Sequence, residues 1–267
     1  MRHRRVKSAV SMLAGLCVPL AVVAMTLPTR PQGHAAPLLL KGPSWQSGAY
    51  WARYDHRLLV DFPDLKRFRA ADRRLGPPPP GIARVVFLGD SITEGWNLAQ
   101  FFPGKPYVNR GISGQTTAQI LLRFRQDVIG LHPQAVVILA GTNDLAGNAG
   151  PESLSEIEGN LASMVQLGRA NGIAVVLCSV LPTVRYWWHP QVPDPAPRIA
   201  ALNRWLQAYA ARHHAVYVNY YKAMKDAAGG LRPGLSIDGV HPSAAGYAVM
   251  TRLIRVGIRA ALKRQER

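Results

Sequence analysis

The sequence predicts an α/β protein built on a parallel sheet with helices on both sides. Three observations lead there. Five short runs, at 83–88, 107–109, 135–140, 173–179 and 215–219, are β-branched and almost wholly apolar, as strands covered on both faces are. Helical patterns at 116–129, 152–170, 196–213 and 243–263 alternate with them. Strand, helix, strand, helix is the order of a parallel sheet whose connections cross its faces. The chain has 267 residues, 48 % of them apolar and 18 % charged, which excludes disorder and coiled coil for most of its length.

Taken in order, the chain opens with a basic stretch (Arg2, Arg4, Arg5, Lys7), an apolar run at 9–27 and the small-residue stretch Gly33-His34-Ala35-Ala36. That is the three-part pattern of a secretory signal, expected over 1–35. The apolar run is also just long enough to span a bilayer, so an uncleaved anchor is the competing reading. Either way the domain is exported. Residues 36–80 form an N-terminal extension in which Asp61-Phe62-Pro63 has the character of a helix start. Leu65, Phe68, Ala71 and Leu75 then share one helical face, and Pro77 to Pro80 end the helix. The sheet domain is expected over 81–267. The formal charge is +17, with 25 Arg against 7 Lys. Without the five basic residues of 1–35 it is +12, a charge that favours anionic surfaces and identifies no partner. No nucleic-acid-binding motif accompanies it. Cys178 is the one cysteine outside the leader, so no internal disulfide is expected, and no Cys/His cluster has metal-ligand spacing.

In such sheets functional groups collect on loops leaving the carboxyl ends of the strands. The first strand runs into Gly89-Asp90-Ser91-Ile92, which places a serine hydroxyl at a strand-to-helix turn beside free N–H groups. Taken alone, Asp90 or Ser91 reads as a helix cap, the commonest fate of these residues at such a turn. The segment lacks the second glycine of a Gly-x-Ser-x-Gly elbow, since Thr93 stands there. The second strand leads to Gly111 and Gly114, where the backbone can turn sharply. The third leads to Gly141-Thr142-Asn143-Asp144, whose Asn amide is a turn former or a donor to a developing oxyanion. Near the end, Asp238 lies three residues before His241, with Pro242 behind it, so one short turn can pair carboxylate and imidazole.

These four blocks, in this order, resemble the SGNH hydrolases, also called GDSL-type esterases and lipases, over roughly 83–262. The subgroup most similar is that of platelet-activating-factor acetylhydrolase catalytic subunits and bacterial acylhydrolases. Ile92 replaces the Leu of the family's nickname. The resemblance implies a three-layer α/β/α flavodoxin-like fold with about five parallel strands. It also implies roles: Ser91 as nucleophile, His241 as general base, Asp238 as the group that orients His241. The oxyanion hole would be the backbone N–H of Ser91, the backbone N–H of Gly111 and the side-chain amide of Asn143, with Asp90 and Asp144 in support. No cofactor or metal is implied.

The loop after the fourth strand, with Tyr186, Trp187 and Trp188, leaves the same edge of the sheet and is the expected substrate loop. Trp96 reads as a packing residue. The expected activity is an exported esterase acting on short, acetyl-type esters, with acetylated glycans as substrates. A lysophospholipase or thioesterase of the same family, and a non-catalytic cell-envelope binding module, are the alternatives. Arg252, Arg255, Arg259 and Lys263 share a broad face of the last helix, which is either solvated or in weak contact with an anionic membrane or cell-wall surface.

Overall fold

The computed structural model describes residues 48–265. The expected leader at 1–35 lies outside them. The described chain begins with α1 (Gly48–Val60) and α2 (Arg69–Leu75). It continues through β1 (Val85–Gly89), α3 (Ser91–Glu94), α4 (Leu98–Phe101), β2 (Tyr107–Gly111), α5 (Thr117–Leu122), α6 (Phe124–Asp127) and β3 (Ala135–Leu139). Then follow α7 (Thr142–Leu145), α8 (Leu154–Ala170), β4 (Ala174–Cys178), α9 (Ala196–Arg212), β5 (Val216–Val218), α10 (Tyr220–Met224) and α11 (Ala244–Gln265). Among the described residues no helix is long and apolar enough to cross a membrane.

All five expected strands form, in one parallel sheet of order β2-β1-β3-β4-β5. This is the flavodoxin-like order, with helices on both faces. Side chains alternate between the two faces, as strand geometry requires. Val86, Leu88, Val136, Ile138, Val175 and Leu177 pack under α5, α6, α8 and α9. Val85, Phe87, Val137, Val176 and Cys178 pack on the other side with Trp96, Phe102, Tyr220 and the apolar stripe of α11. Trp96 is 2 % exposed and lies edge-on to Phe87, so it is core, as expected. In register, Gly89 of β1 pairs with Gly111 of β2 and Leu139 of β3. The loops carrying Ser91, Ser113 and Asn143 therefore leave the sheet side by side.

Two expected helices differ. The helix expected from Asp61 is a pair of turns followed by α2. The Asp61 carboxylate accepts the N–H groups of Leu65 (3.0 Å) and Lys66 (3.3 Å), four and five residues on, so it closes a turn after α1 rather than capping a helix. Asp64 adopts φ +53°, and a left-handed residue breaks the helical run. The segment holds two helices rather than one, since α1 precedes it. The helix expected at 116–129 is divided into α5 and α6. Arg123 sits at the break with φ −97°, ψ 2°, and its side chain turns inward rather than out to solvent.

Candidate active site

Ser91 occupies the first position of α3. Asp90 precedes it as N-cap, accepting the Ile92 N–H at 2.9 Å. Burial pushes the Asp90 carboxyl up to about 6, against a smaller opposing effect of that hydrogen bond, and its second oxygen has no hydrogen-bond partner. The Ser91 Oγ lies 2.9 Å from His241 Nε2, and His241 Nδ1 lies 2.7 Å from Asp238 Oδ2. The structure thus joins three residues whose first and last partners are 150 positions apart.

The turn before α11 explains why Asp238 and His241 meet. Asp238 Oδ1 accepts the backbone N–H groups of Val240 (2.9 Å) and His241 (2.7 Å), which leaves Oδ2 for the imidazole. Ser236 Oγ donates to the His241 carbonyl at 2.8 Å and accepts the Gly239 N–H at 2.8 Å. Burial alone raises the Asp238 carboxyl, but the hydrogen bonds from the His241 ring and from the backbone outweigh it and hold it below the ordinary value. Trp187 Nε1 adds a donor to Asp238 Oδ2 at 3.2 Å. Tyr247 of α11 donates to the Ile92 carbonyl at 2.8 Å, fixing the helix that follows His241 to the turn that carries Ser91.

On the opposite side of Ser91 the loop after β2 corrects one expectation. The Gly111 N–H already donates to Asn109 Oδ1 at 2.8 Å, so it does not face an open position as an oxyanion donor must. Gly111 is glycine for another reason: a Cβ there would lie 2.1 Å from the Glu94 nitrogen. Gly114, by contrast, has φ +83°, and its N–H meets no acceptor among the described residues. The Ser91 N–H is likewise without an acceptor there. The Asn143 amide gives one N–H to the Gln115 carbonyl (2.9 Å), while its oxygen accepts from Asn148 Nδ2 (2.9 Å). That pairing fixes the amide orientation and leaves a second N–H. Asn148 Nδ2 also reaches the Gly114 carbonyl (3.1 Å), and Trp188 Nε1 holds Asn148 Oδ1 (2.8 Å). Asp144 accepts the N–H (2.8 Å) and hydroxyl of Thr117, which ties α7 to α5. Burial raises the Asp144 carboxyl to about 6.

The substrate loop is only partly as expected. Tyr186 is 1 % exposed and belongs to the core beneath the loop, so it is not a substrate-facing ring. Trp187 and Trp188 are half-buried and meet edge to face, with centroids 5.2 Å apart. The Trp188 ring is 6.3 Å from the His241 ring.

Several supporting residues escaped the sequence reading. Arg123 is completely buried and donates to Asp127 (3.0 Å), to the carbonyls of Gly89 (2.8 Å) and Arg110 (2.8 Å), and to Gln115 Oε1 (2.6 Å). It fastens the ends of β1 and β2 to the loop between β2 and α5. Burial lowers its guanidinium pKa, partly offset by Asp127. Glu152 stands against Asp144, and burial first, then that neighbour, pushes it up to about 7. Nothing in a linear pattern marks either residue. Among the described residues, no three His, Cys, Asp or Glu side chains gather as a metal ligand set.

A flavodoxin-like sheet with a serine, histidine and aspartate in hydrogen-bonded succession at its carboxyl edge defines a hydrolytic α/β enzyme. Residues 87–249 match the GDSL-like lipase/acylhydrolase family. The chain belongs to that family and is a carboxylic ester hydrolase. It is 32 % identical over 177 residues to esterase TesA of Pseudomonas aeruginosa, covering 60 % of this chain and 80 % of that one. It is 27 % identical over 203 residues to an acetylxylan esterase of Geobacillus stearothermophilus, covering 63 % and 90 %. The crystal structure of a GDSL-like lipase from Bacteroides thetaiotaomicron superposes with a TM-score of 0.73 at 44 % identity, over 75 % of this chain and all of that one.

Proposed function

We propose that this protein is an exported serine esterase that removes short, acetyl-type acyl groups from glycans through an acyl-enzyme. The observation that carries the reading is the unbroken succession Ser91 Oγ–His241 Nε2 (2.9 Å) and His241 Nδ1–Asp238 Oδ2 (2.7 Å). Ser91 Oγ attacks the ester carbonyl carbon while its proton passes to His241 Nε2. Asp238 holds the imidazole by Nδ1 and stabilises the cation that forms. The carbonyl oxygen, now an anion, accepts from the Ser91 N–H, the Gly114 N–H and the free amide N–H of Asn143, with Gly114 taking the place first assigned to Gly111. Collapse breaks the bond to the alcohol oxygen, which takes the proton from His241. Water then repeats the sequence against the acyl-serine, releasing the carboxylic acid and restoring Ser91.

Because His241 returns the proton to the leaving alcohol, the alcohol moiety lies on the His241 side. There Trp187 and Trp188 offer ring faces suited to a sugar. The acetylxylan esterase among the relatives supports the acetyl and glycan assignments. The basic–apolar–small pattern of residues 1–35 supports export. Arg252, Arg255, Arg259 and Lys263 are exposed on α11, and weak contact of this face with an anionic membrane or wall polymer is expected to appear as salt-sensitive binding.

The test is hydrolysis of p-nitrophenyl esters of increasing acyl length by the protein and by Ser91→Ala. Activity that is greatest on acetate, falls with chain length and is lost in the variant is the expected result. Rates that rise with chain length move the substrate to lipids. Activity that survives Ser91→Ala overturns the mechanism.

A further inference from the structure

The helix α1 lies entirely before the segment that matches the family. Of its described side chains, Ala52, Arg53, Asp55, His56, Leu59 and Val60 are exposed. Arg57 and Leu58 are half-buried, and Tyr54 alone of those described is buried, at 2 % exposure. Its hydroxyl donates to the Gly114 carbonyl at 2.8 Å. Its ring covers the bare α-carbon of Gly114 so closely that a Cβ on that residue would lie 2.7 Å from Tyr54 Cε2.

We propose that Tyr54 is a positioning residue for the reaction: it holds the α-carbon and carbonyl of Gly114 and so limits rotation of the preceding peptide, whose N–H points at the reacting carbonyl oxygen. This rests on the esterase reading above and adds to it a residue from outside the family segment. The physical need is specific. An oxyanion donor works by being aimed before the charge develops. Glycine has the softest backbone of any residue, so its aim must come from its neighbours. On the amino side, Ser113 donates its N–H to Glu94 at 2.8 Å. On the carboxyl side, the Gly114 carbonyl has two lone pairs, and Asn148 Nδ2 (3.1 Å) and Tyr54 Oη (2.8 Å) occupy both. Asn148 holds Asn143 as well, so the two donors supplied by the loops are set by one network, of which Tyr54 is the outer end. The chain after α1 reinforces the contact: Gln115 Nε2 donates to the Pro63 carbonyl at 2.8 Å and Gln119 Nε2 to the Phe62 carbonyl at 2.7 Å.

The experiment compares the full chain with Tyr54→Phe, which keeps the ring and removes only the hydroxyl. On p-nitrophenyl acetate, kcat is expected to fall about 3- to 10-fold, the range for one neutral hydrogen bond, with KM changed by less than about twofold. Inhibition by a trifluoromethyl ketone, which adds to Ser91 to give a tetrahedral oxyanion, weakens by the same factor. The melting temperature falls by no more than about 6 °C, the shift expected for loss of one such bond with the ring kept, and the enzyme stays folded at the assay temperature. A structural role alone leaves the ketone affinity of the folded enzyme unchanged. Wild-type kcat in Tyr54→Phe, or a reduced kcat with unaltered ketone affinity, overturns the proposal. Either result leaves the esterase reading standing, because that reading falls only if Ser91→Ala remains active.

Discussion

Asp238→Asn tests the relay at its most constrained point. The carboxylate accepts from two directions that cannot be exchanged. Oδ1 faces the backbone N–H groups of Val240 and His241 at 2.9 and 2.7 Å, so an amide nitrogen cannot sit there. The amide nitrogen is therefore forced to the Oδ2 position, 2.7 Å from His241 Nδ1 and 3.2 Å from Trp187 Nε1. A donor facing Nδ1 makes that nitrogen the acceptor and moves the ring proton to Nε2. Nε2 then donates to Ser91 Oγ across the same 2.9 Å, and the nucleophile has no base. Loss of the correct tautomer in such a triad costs about 10⁴ in kcat, or about 5.5 kcal/mol of transition-state stabilisation. The assay is kcat and KM on p-nitrophenyl acetate, with circular dichroism to establish that the fold is retained. A variant within tenfold of the wild type refutes the argument, because Nδ1 would then not depend on Asp238 for its proton.

Three other outcomes are expected. Arg123→Met leaves Asp127 and three carbonyl-type oxygens without their donor inside the core, and removing one partner of such a buried pair costs about 3–5 kcal/mol; urea unfolding measures this, and a loss below about 1 kcal/mol contradicts it. Gly114→Ala places a side chain at φ +83° and against the Tyr54 ring, so both stability (by about 1–3 kcal/mol) and kcat fall, read from melting curves and ester turnover; an unaltered protein contradicts it. Burial pushes Asp90 from its ordinary value of 3.8 up to about 6, so between those pH values the folded state holds the proton that the unfolded state releases. Stability therefore declines as pH rises from about 4 to about 6 and levels off above, and Asp90→Asn shows a shallower decline by urea titration; equal slopes remove the argument.

The sheet was legible because the central strands β1, β3 and β4, buried on both faces, are almost wholly apolar, and β1 through β5 all lie within two residues of the expected runs. Helices α8, α9 and α11 were legible for a similar reason, being long enough to show a period. The break at Arg123 was not, because it depends on where a guanidinium finds partners from β1 and β2. Asp61 has the chemistry of a cap but closes a turn instead, and the left-handed Asp64 beside it carries no sequence mark. In the site, the four motif blocks indicated Ser91, Asn143, Asp238 and His241. That the Gly111 N–H is already engaged was not legible, because it depends on the Asn109 side chain folding back onto its own loop. Tyr186 and Trp187 are adjacent aromatics in sequence, and only packing separates a core ring from one at the surface.

The long separation of Ser91 from His241 has a consequence for the chain as it is made. Ser91 is translated 150 residues before His241, and Tyr247, which fixes α11 to the Ser91 turn, comes later still. A nascent polypeptide, or one stalled or clipped anywhere ahead of His241, carries Ser91 without its imidazole partner. On the proposed mechanism, hydrolysis therefore waits until the turn carrying His241 and the helix behind it have docked against the Ser91 turn.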